Sequence, residues 1–398
     1  MRGLVMVLMT SDHASGAFDA GHLMTDSVRS YTPGMELPVG HFMARWVTHL
    51  CAPTFVFLAG TALALSVGRR VAKGESPGSI DRFLLTRGLF IAALDPLWMS
   101  WMWMPGKVLL QVMYAIGVSM VAMTGLRRLP PRVLLSLGLG FVVSHEALGN
   151  AVLAVTGPTP PWFVAVTLTG GRLSWGVAAY PLIPWLAMMM VGWSFGSFVA
   201  GADRERVERA LWTWGVAALA IFGVVRGANA YGNMRLLRDD GSIVQWLHVS
   251  KYPPSLTFTT LELGLMAVLL AAFFRVSRNG APSWTKPLLV YGQTALFFYI
   301  LHAHLLHYSA VALGMLDRGG LVETYVATAV TLVVLLPCCV KYREYKRRNP
   351  EGIARYVLAP SYFASLTLRA ASLTASLPSP SSIAFSSAAS LSAIAPTP

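Results

Sequence analysis

The stretch RGLVMVLMTSDHA, Arg2 to Ala14, sets an acid and a base side by side at the end of an apolar run. A neutral imidazole can take a proton from a hydroxyl or an amine, which is the task of a general base. On a helix His13 lies eleven residues from Arg2, roughly 16 Å along the axis at 1.5 Å per residue. That spacing places Arg2 at a membrane surface and His13 well inside. Asp12, next in sequence, points to a different face and is expected to meet another helix rather than to orient His13.

A second constellation lies in HFMARWVTHLCAPTFVFLAG, His41 to Gly60. His41, Arg45 and His49 recur at i, i+4 and i+8 and line one helix face, either as a cavity wall or as a contact between helices. A third is FFYILHAHLLH, Phe297 to His307. There His302 and His304 point to different faces, while His304 and His307 share one. Their i, i+3 spacing would suit a metal, but no carboxylate stands with them, so none is expected. In DRFLLTRGLFIAALDPLW, Asp81 to Trp98, Arg82 and Arg87 stand at the mouth of a span where they could hold phosphate. Asp95, deeper in the same span, needs a partner.

These groups need elements to carry them. The chain has 398 residues, 55% hydrophobic and 12% charged, with mean hydropathy +0.56. That is about half the charge of a soluble domain, so an all-α integral membrane protein is expected. Spans are read at 3–20, 42–66, 85–104, 108–126, 133–155, 175–200, 208–226, 255–274, 287–314 and 321–340. The first is short before Asp12; either residues precede it or its helix runs on to about Leu23. No signal-peptide cleavage pattern follows it.

Most of the 31 basic residues fall on alternate connections. They include Arg69, Arg70, Arg127, Arg128, Arg204, Arg278 and KYREYKRRNPEG, Lys341 to Gly352. This makes that side cytoplasmic, with both termini on it. The net charge of +13 is thus a topology signal, and no basic stripe remains for nucleic acid. All nine histidines map to the opposite half, which points to a polar cavity opening outward. Two long connections there, 156–174 and 227–254, have the length of lids or binding surfaces; the second ends in Lys251-Tyr252-Pro253-Pro254. Cys51, Cys338 and Cys339 have no metal or disulfide spacing and read as packing residues. Residues 359–398 are rich in Ser, Ala and Pro and read as a disordered tail after a membrane domain spanning 1–358. Phosphate-binding loops, nucleotide fingerprints and the HExxH motif do not occur, so ATP-driven transport by this chain alone is excluded.

In order along 1–358, RGLVMVLMTSDH, THLCAPTFVFLAGT, RFLLTRG, YPLIPWLAMMMVGWSFG, VSKYPPSL and LHAHLL resemble the bacterial relatives of heparan-alpha-glucosaminide N-acetyltransferase. More distantly the chain is similar to the acyltransferase family 3 membrane enzymes. The resemblance implies transfer of an acyl group, commonly acetyl, from cytoplasmic acyl-CoA to a sugar or glycan hydroxyl or amine on the far side of the cell membrane. Acyl-CoA is then a co-substrate, with no bound cofactor, and the bilayer and the glycan are the partners. The family 3 pattern makes His13 catalytic, with Asp12 beside it, and assigns the acyl donor to Arg82 and Arg87. The glucosaminide pattern places the active histidine near His41, with His49 close by, so the two disagree on the base. Arg45, Lys251, Tyr252, His302 and His304 are the expected substrate contacts. The alternatives are a proton-coupled transporter using Asp12, Asp95, Glu146, Glu262 and the histidines as a relay, and a non-catalytic membrane partner. No internal repeat of the kind transporters show is present.

Overall fold

The computed structural model describes residues 1–349 apart from Asn279 and Ala281. The expected tail at 359–398 lies outside the described residues. The fold is carried first by α1 (Arg2–Phe18), α2 (Val39–Thr48), α3 (Cys51–Ala72), α4 (Pro77–Leu94), α5 (Val112–Leu126) and α6 (Pro131–Thr156). Then follow α7 (Leu182–Gly201), α8 (Arg204–Ala228), α9 (Leu256–Val276), α10 (Lys286–Gln293), α11 (Ala295–Ala312) and α12 (Leu321–Arg348), with a few shorter turns of helix between. Each expected span coincides with one of these or a consecutive pair. Eight helical stretches among the described residues are long and apolar enough to cross a membrane, α2 and α3 counting as one. The remaining two expected spans that stand on a single helix, α1 and α5, have 17 and 15 residues.

Helix ends follow local chemistry. Ser76 caps α4, with Pro77 at its first turn, Asp203 caps α8 and Ser255 caps α9; each side chain accepts an otherwise unpaired amide. Several sequence expectations shift for such reasons. The first helix ends at Phe18, not Leu23, where Asp19 turns extended. α4 begins at Pro77 rather than 85 because Ser76-Pro77 is a start signal. The span expected from 175 begins at Leu182, because 171–178 forms extended chain. In a fold expected to be all-α, Val108–Leu110 (β1), Gly171–Leu173 (β2) and Gly176–Ala178 (β3) make a small sheet in the order β1-β3-β2. β1 runs parallel to β3 and β2 antiparallel to it.

Packing is set by small residues. α3 lies along α7, α4 along α5, α6 along α7 and α8 along α9, while α1 is held by α10, α11 and α12. At the α3–α7 contact a Cβ on Gly192 would stand 2.1 Å from Phe57 O, and one on Gly60 2.2 Å from Met189 O. Glycine there lets the backbones touch, as in membrane helix pairs. The buried side chains around these contacts are Trp185, Met188, Met189, Phe258 and Phe298.

α4 does not end cleanly. Pro96 has no amide to give, and the chain widens into a π turn over Asp95–Met99. This aims the buried Asp95 across to the start of α5, where Oδ2 accepts the amides of Gln111 (2.9 Å) and Tyr114 (2.8 Å). The partner that Asp95 required is therefore the unpaired backbone of a neighbouring helix.

Candidate active site

α1 presents Arg2, Met6, Met9 and His13 on one face, at helical spacings of four, three and four. The first three line a largely apolar cavity of about 100 Å³ together with Arg87 and Ile91 of α4, Phe55, Met113, Ile116 and Tyr299. Arg2 also donates to Leu58 O at 3.2 Å, and Lys346 lies within electrostatic reach of both Arg2 and Arg87. Two cations thus line the cavity, with a third within electrostatic reach of both. Tyr299 is also a neighbour of His13, their ring centroids 5.9 Å apart.

His13 meets a residue 289 positions away. Its Nδ1 lies 2.9 Å from His302 Nε2, and His302 Nδ1 lies 2.9 Å from Phe298 O. The chemistry of these atoms assigns the protons. A carbonyl only accepts, so His302 Nδ1 carries hydrogen and, in a neutral ring, its Nε2 carries the lone pair. His13 Nδ1 must then be the donor to His302. That leaves the lone pair of His13 on Nε2, which has no hydrogen-bond partner among the described residues. Trp103 and Tyr299 close around the His13 ring at 5.3 and 5.9 Å.

Beside this pair runs an ionic cluster. Arg45 NH1 donates to Asp12 Oδ1 at 2.6 Å, and its Nε and NH2 donate to Asp26 Oδ2 at 2.9 and 2.7 Å. Thr48 Oγ1 adds a 2.8 Å bond to Asp12. Asp12 does meet another helix, as its position predicts, and does not orient His13. Burial disfavours the charge on Asp26, but Arg45, His49 and Lys251 together outweigh it and hold the carboxyl well below the usual range. His49 Nε2 stands 3.2 Å from Asp26 Oδ1, off the hydrogen-bonding axis. His41 forms its own dyad with Asp19, Nδ1 to Oδ2 at 2.9 Å, and remains 29% exposed. The stripe of His41, Arg45 and His49 therefore faces three carboxylates.

The long connection 227–254 folds over this cluster. Lys251 and Tyr252 donate their backbone amides to Asp26 O at 2.9 and 3.2 Å. The Lys251 ammonium is buried, 5.2 Å from the Tyr252 ring centre, and within electrostatic reach of Asp12, Asp26 and Glu262. The loop is organised by a fully buried Arg226 at the end of α8. All five of its N–H groups are taken up. They go to the carbonyls of Trp246, Leu236, Gln245 and His248 and to Asn233 Oδ1, at 2.6–3.2 Å.

Of the expected site residues, the structure brings together Asp12, His13, Arg45, His49, Lys251, Tyr252 and His302. It separates the others. Arg82 is exposed and does not line the cavity that Arg87 lines, because five helical residues turn the side chain by about 140°. His304 accepts from Trp98 Nε1 at 3.1 Å on the outside of the bundle, away from His13. His41 stands at the rim. His302, an expected substrate contact, is hydrogen-bonded to His13. Sequence reading missed Asp26, Tyr299, Trp103 and Arg226. The Arg2-Met6-Met9-His13 stripe was the available signal for the cavity wall. Among the described residues no group of three or more His, Cys, Asp or Glu could hold a metal.

Long apolar helices around buried ionisable groups define a multi-pass membrane protein whose interior charges are its functional candidates. Within that class, the model of the family Heparan-alpha-glucosaminide N-acetyltransferase, catalytic, matches residues 1–225. This is more than half of the chain, which belongs to that family. The matched span holds Asp12, His13, Arg45 and Arg87 and stops short of Lys251 and His302. No curated protein matches the chain.

Proposed function

We propose that the protein is a membrane acetyltransferase that takes an acetyl group from acetyl-CoA at its basic end and gives it to a sugar or glycan amine or hydroxyl at the opposite end. The observation that carries this reading is the continuity of one helix face. It runs from Arg2, which shares the cavity with Arg87 of α4, past Met6 and Met9, to a histidine whose free nitrogen is fixed by His302. Arg2, Arg87 and Lys346 suit the phosphates of acyl-CoA, and the apolar cavity between them and Tyr299 suits the approach of its acyl arm.

In this mechanism His13 Nε2 takes the proton of the acceptor's N–H or O–H as that atom attacks the thioester carbonyl. The new C–N or C–O bond forms, the C–S bond breaks, and the departing thiolate takes the proton from His13. His302 stabilises the transient imidazolium by accepting from its Nδ1 throughout. Asp12 and Asp26, both paired with Arg45, and Lys251 form the polar wall beside the acceptor. The basic end is read as cytoplasmic by the positive-inside rule, with ten spans and both termini on that side. Family membership favours acyl transfer over proton-coupled transport. A second reading keeps the same reaction but uses His41, favoured by its Asp19 partner and its more exposed position.

Proteoliposomes supplied with labelled acetyl-CoA on the basic side and glucosamine-type or glycan acceptors on the other test this directly. His13→Ala is expected to reduce acceptor labelling by about 10²–10⁴-fold, the usual contribution of a general base, while His41→Ala and His49→Ala retain most of it. Selective loss in His41→Ala would transfer the role to that residue. Neither labelled acceptor nor released CoA, from protein shown to be folded, would remove the acetyltransferase reading.

A further inference from the structure

A second cavity, about 800 Å³, lies at the histidine-bearing end of the bundle, between the last turns of α6 and the loops that carry Arg29 and Arg235. It is lined by different residues from the cavity along α1 and takes no part in the acetyl-transfer scheme. The last turns of α6 line it with Gly149, Leu153 and Ala154, apolar or small apart from Asn150. The neighbouring Val155 on the same helix is 87% exposed, so in a bilayer this wall continues into the lipid-facing side of α6.

The polar groups of the lining, His145 and Glu146 one turn earlier on α6 and the two loop arginines, are unevenly occupied. Glu146, the carboxylate in the lining, is spent on backbone: Oε2 accepts the amides of Gly232 at 2.7 Å and Met234 at 2.9 Å. Both ring nitrogens of His145 face carbonyls, Leu168 O at 2.9 Å and Pro254 O at 3.3 Å. The Arg29 guanidinium gives one hydrogen bond, to Thr169 O at 3.3 Å. Arg235 makes no hydrogen bond or ion pair among the described residues.

The backbone beneath Arg235 is strained. Met234 and Arg235 both have positive φ, 51° and 64°, a conformation that non-glycine residues seldom adopt even singly. Glu146 holds the turn by gripping the amides on either side of Asn233. Such strain collects at ligand clamps when surrounding structure over-determines it. Here it sets a free guanidinium at a roomy cavity whose other arginine is only partly used.

We propose that this cavity binds a phosphate-bearing amphiphile, Arg29 and Arg235 taking the phosphate and the α6 wall taking the first part of its chain. Two guanidiniums whose neighbouring carboxylate is already committed select an anion, and their planar forks match phosphate oxygens. The apolar wall leading to a lipid-facing helix selects an anion with a chain over a free one. The site is independent of the acetyl-transfer reading.

Native mass spectrometry of the full chain in detergent, titrated with dioleoyl phosphatidylglycerol or dioleoyl phosphatidylcholine, tests the proposal. The anionic lipid is expected to be retained about tenfold better, and Arg29→Gln with Arg235→Gln to abolish that preference, on the scale of one or two charge-assisted contacts. Arg209→Gln, a charge loss at the opposite end, should leave it intact. Glycerol 1-phosphate and inorganic phosphate serve as competitors without a chain. Failure of both to displace the lipid at millimolar concentration supports the amphiphile, whereas displacement at the lipid's own concentration overturns it. Equal retention of the two lipids, or an unchanged preference in the double variant with a wild-type melting profile, overturns the site.

Discussion

At the scale of single residues, Arg45 decides the most. It stands between buried Asp26 and half-buried Asp12 with its fork divided between them, so its removal leaves two negative charges opposed at close quarters. Arg45→Met is expected to cost about 3–5 kcal/mol, the range for breaking a buried pair. Arg45→Lys should recover only part of this, since a point charge cannot serve both acids at once. Thermal unfolding in detergent measures both. Asp26 adds a pH signature. Its folded pKa lies below its unfolded value of about 4, so its contribution is complete above that value and is lost as pH falls through and below it. Wild-type protein should therefore lose more stability than Asp26→Asn between about pH 5 and pH 3 — a steeper drop in melting temperature. For His302, the expected pattern is a fall in kcat of about tenfold or more in His302→Ala with little change in KM. His302→Gln, which keeps an acceptor for His13, should restore most of the rate. Equal losses in the two variants would mean that His302 only fills space. The stripe of His41, Arg45 and His49 was legible because helical spacing alone defines it. The acids opposite were less so: Asp26 sits in a loop with no periodicity, and nothing local to His302 shows that it reaches back 289 residues to His13.

At the scale of elements, the spans were readable because apolar length is written directly into the chain. What breaks them was harder to see. The π turn at Asp95 and the division of α10 from α11 at Thr294 depend on where neighbouring backbone amides go, which is a tertiary fact. The sheet of three-residue strands lies below the length at which a pattern is visible. Asp95→Ala should leave the first turn of α5 without its acceptor, a cost of about 0.5–2 kcal/mol by analogy with helix caps, while Asp95→Asn retains an acceptor and loses less. Urea-dependent proteolysis across 104–112 would register the difference. Gly192→Val places a branched side chain where even a Cβ stands 2.1 Å from Phe57 O. The helices must part, and a loss of at least about 1–3 kcal/mol, the usual range for overpacking, is expected as reduced monodisperse yield and a lower melting temperature.

At the scale of the molecule, charge and titration are segregated. The connections near Arg70, Arg127 and Arg278 pair internally with Glu75, Asp81 and Glu208. The histidines lie toward the end formed by 19–38, 157–181 and 229–255. Composition and family membership make this a multi-pass membrane protein, and the proposed topology makes a simple prediction. Single cysteines replacing Gly74 or Asp240, introduced in a chain lacking Cys51, Cys338 and Cys339, should react with an impermeant maleimide from opposite sides of sealed vesicles. Labelling of both from one side would overturn the proposed ten spans.

The buried Arg226 has a mechanical meaning. A planar group with five fixed directions accepts one arrangement of the carbonyls around it, so the chain from Asn233 to His248 is gathered like cloth on a single pin. Unfastening it would strand a cation without a counter-ion. A roof pinned in this way does not flap. Whatever reaches Lys251 and His13 from that end must pass around the fold of the loop, and changes in the tilt of α8 would carry the whole roof with them.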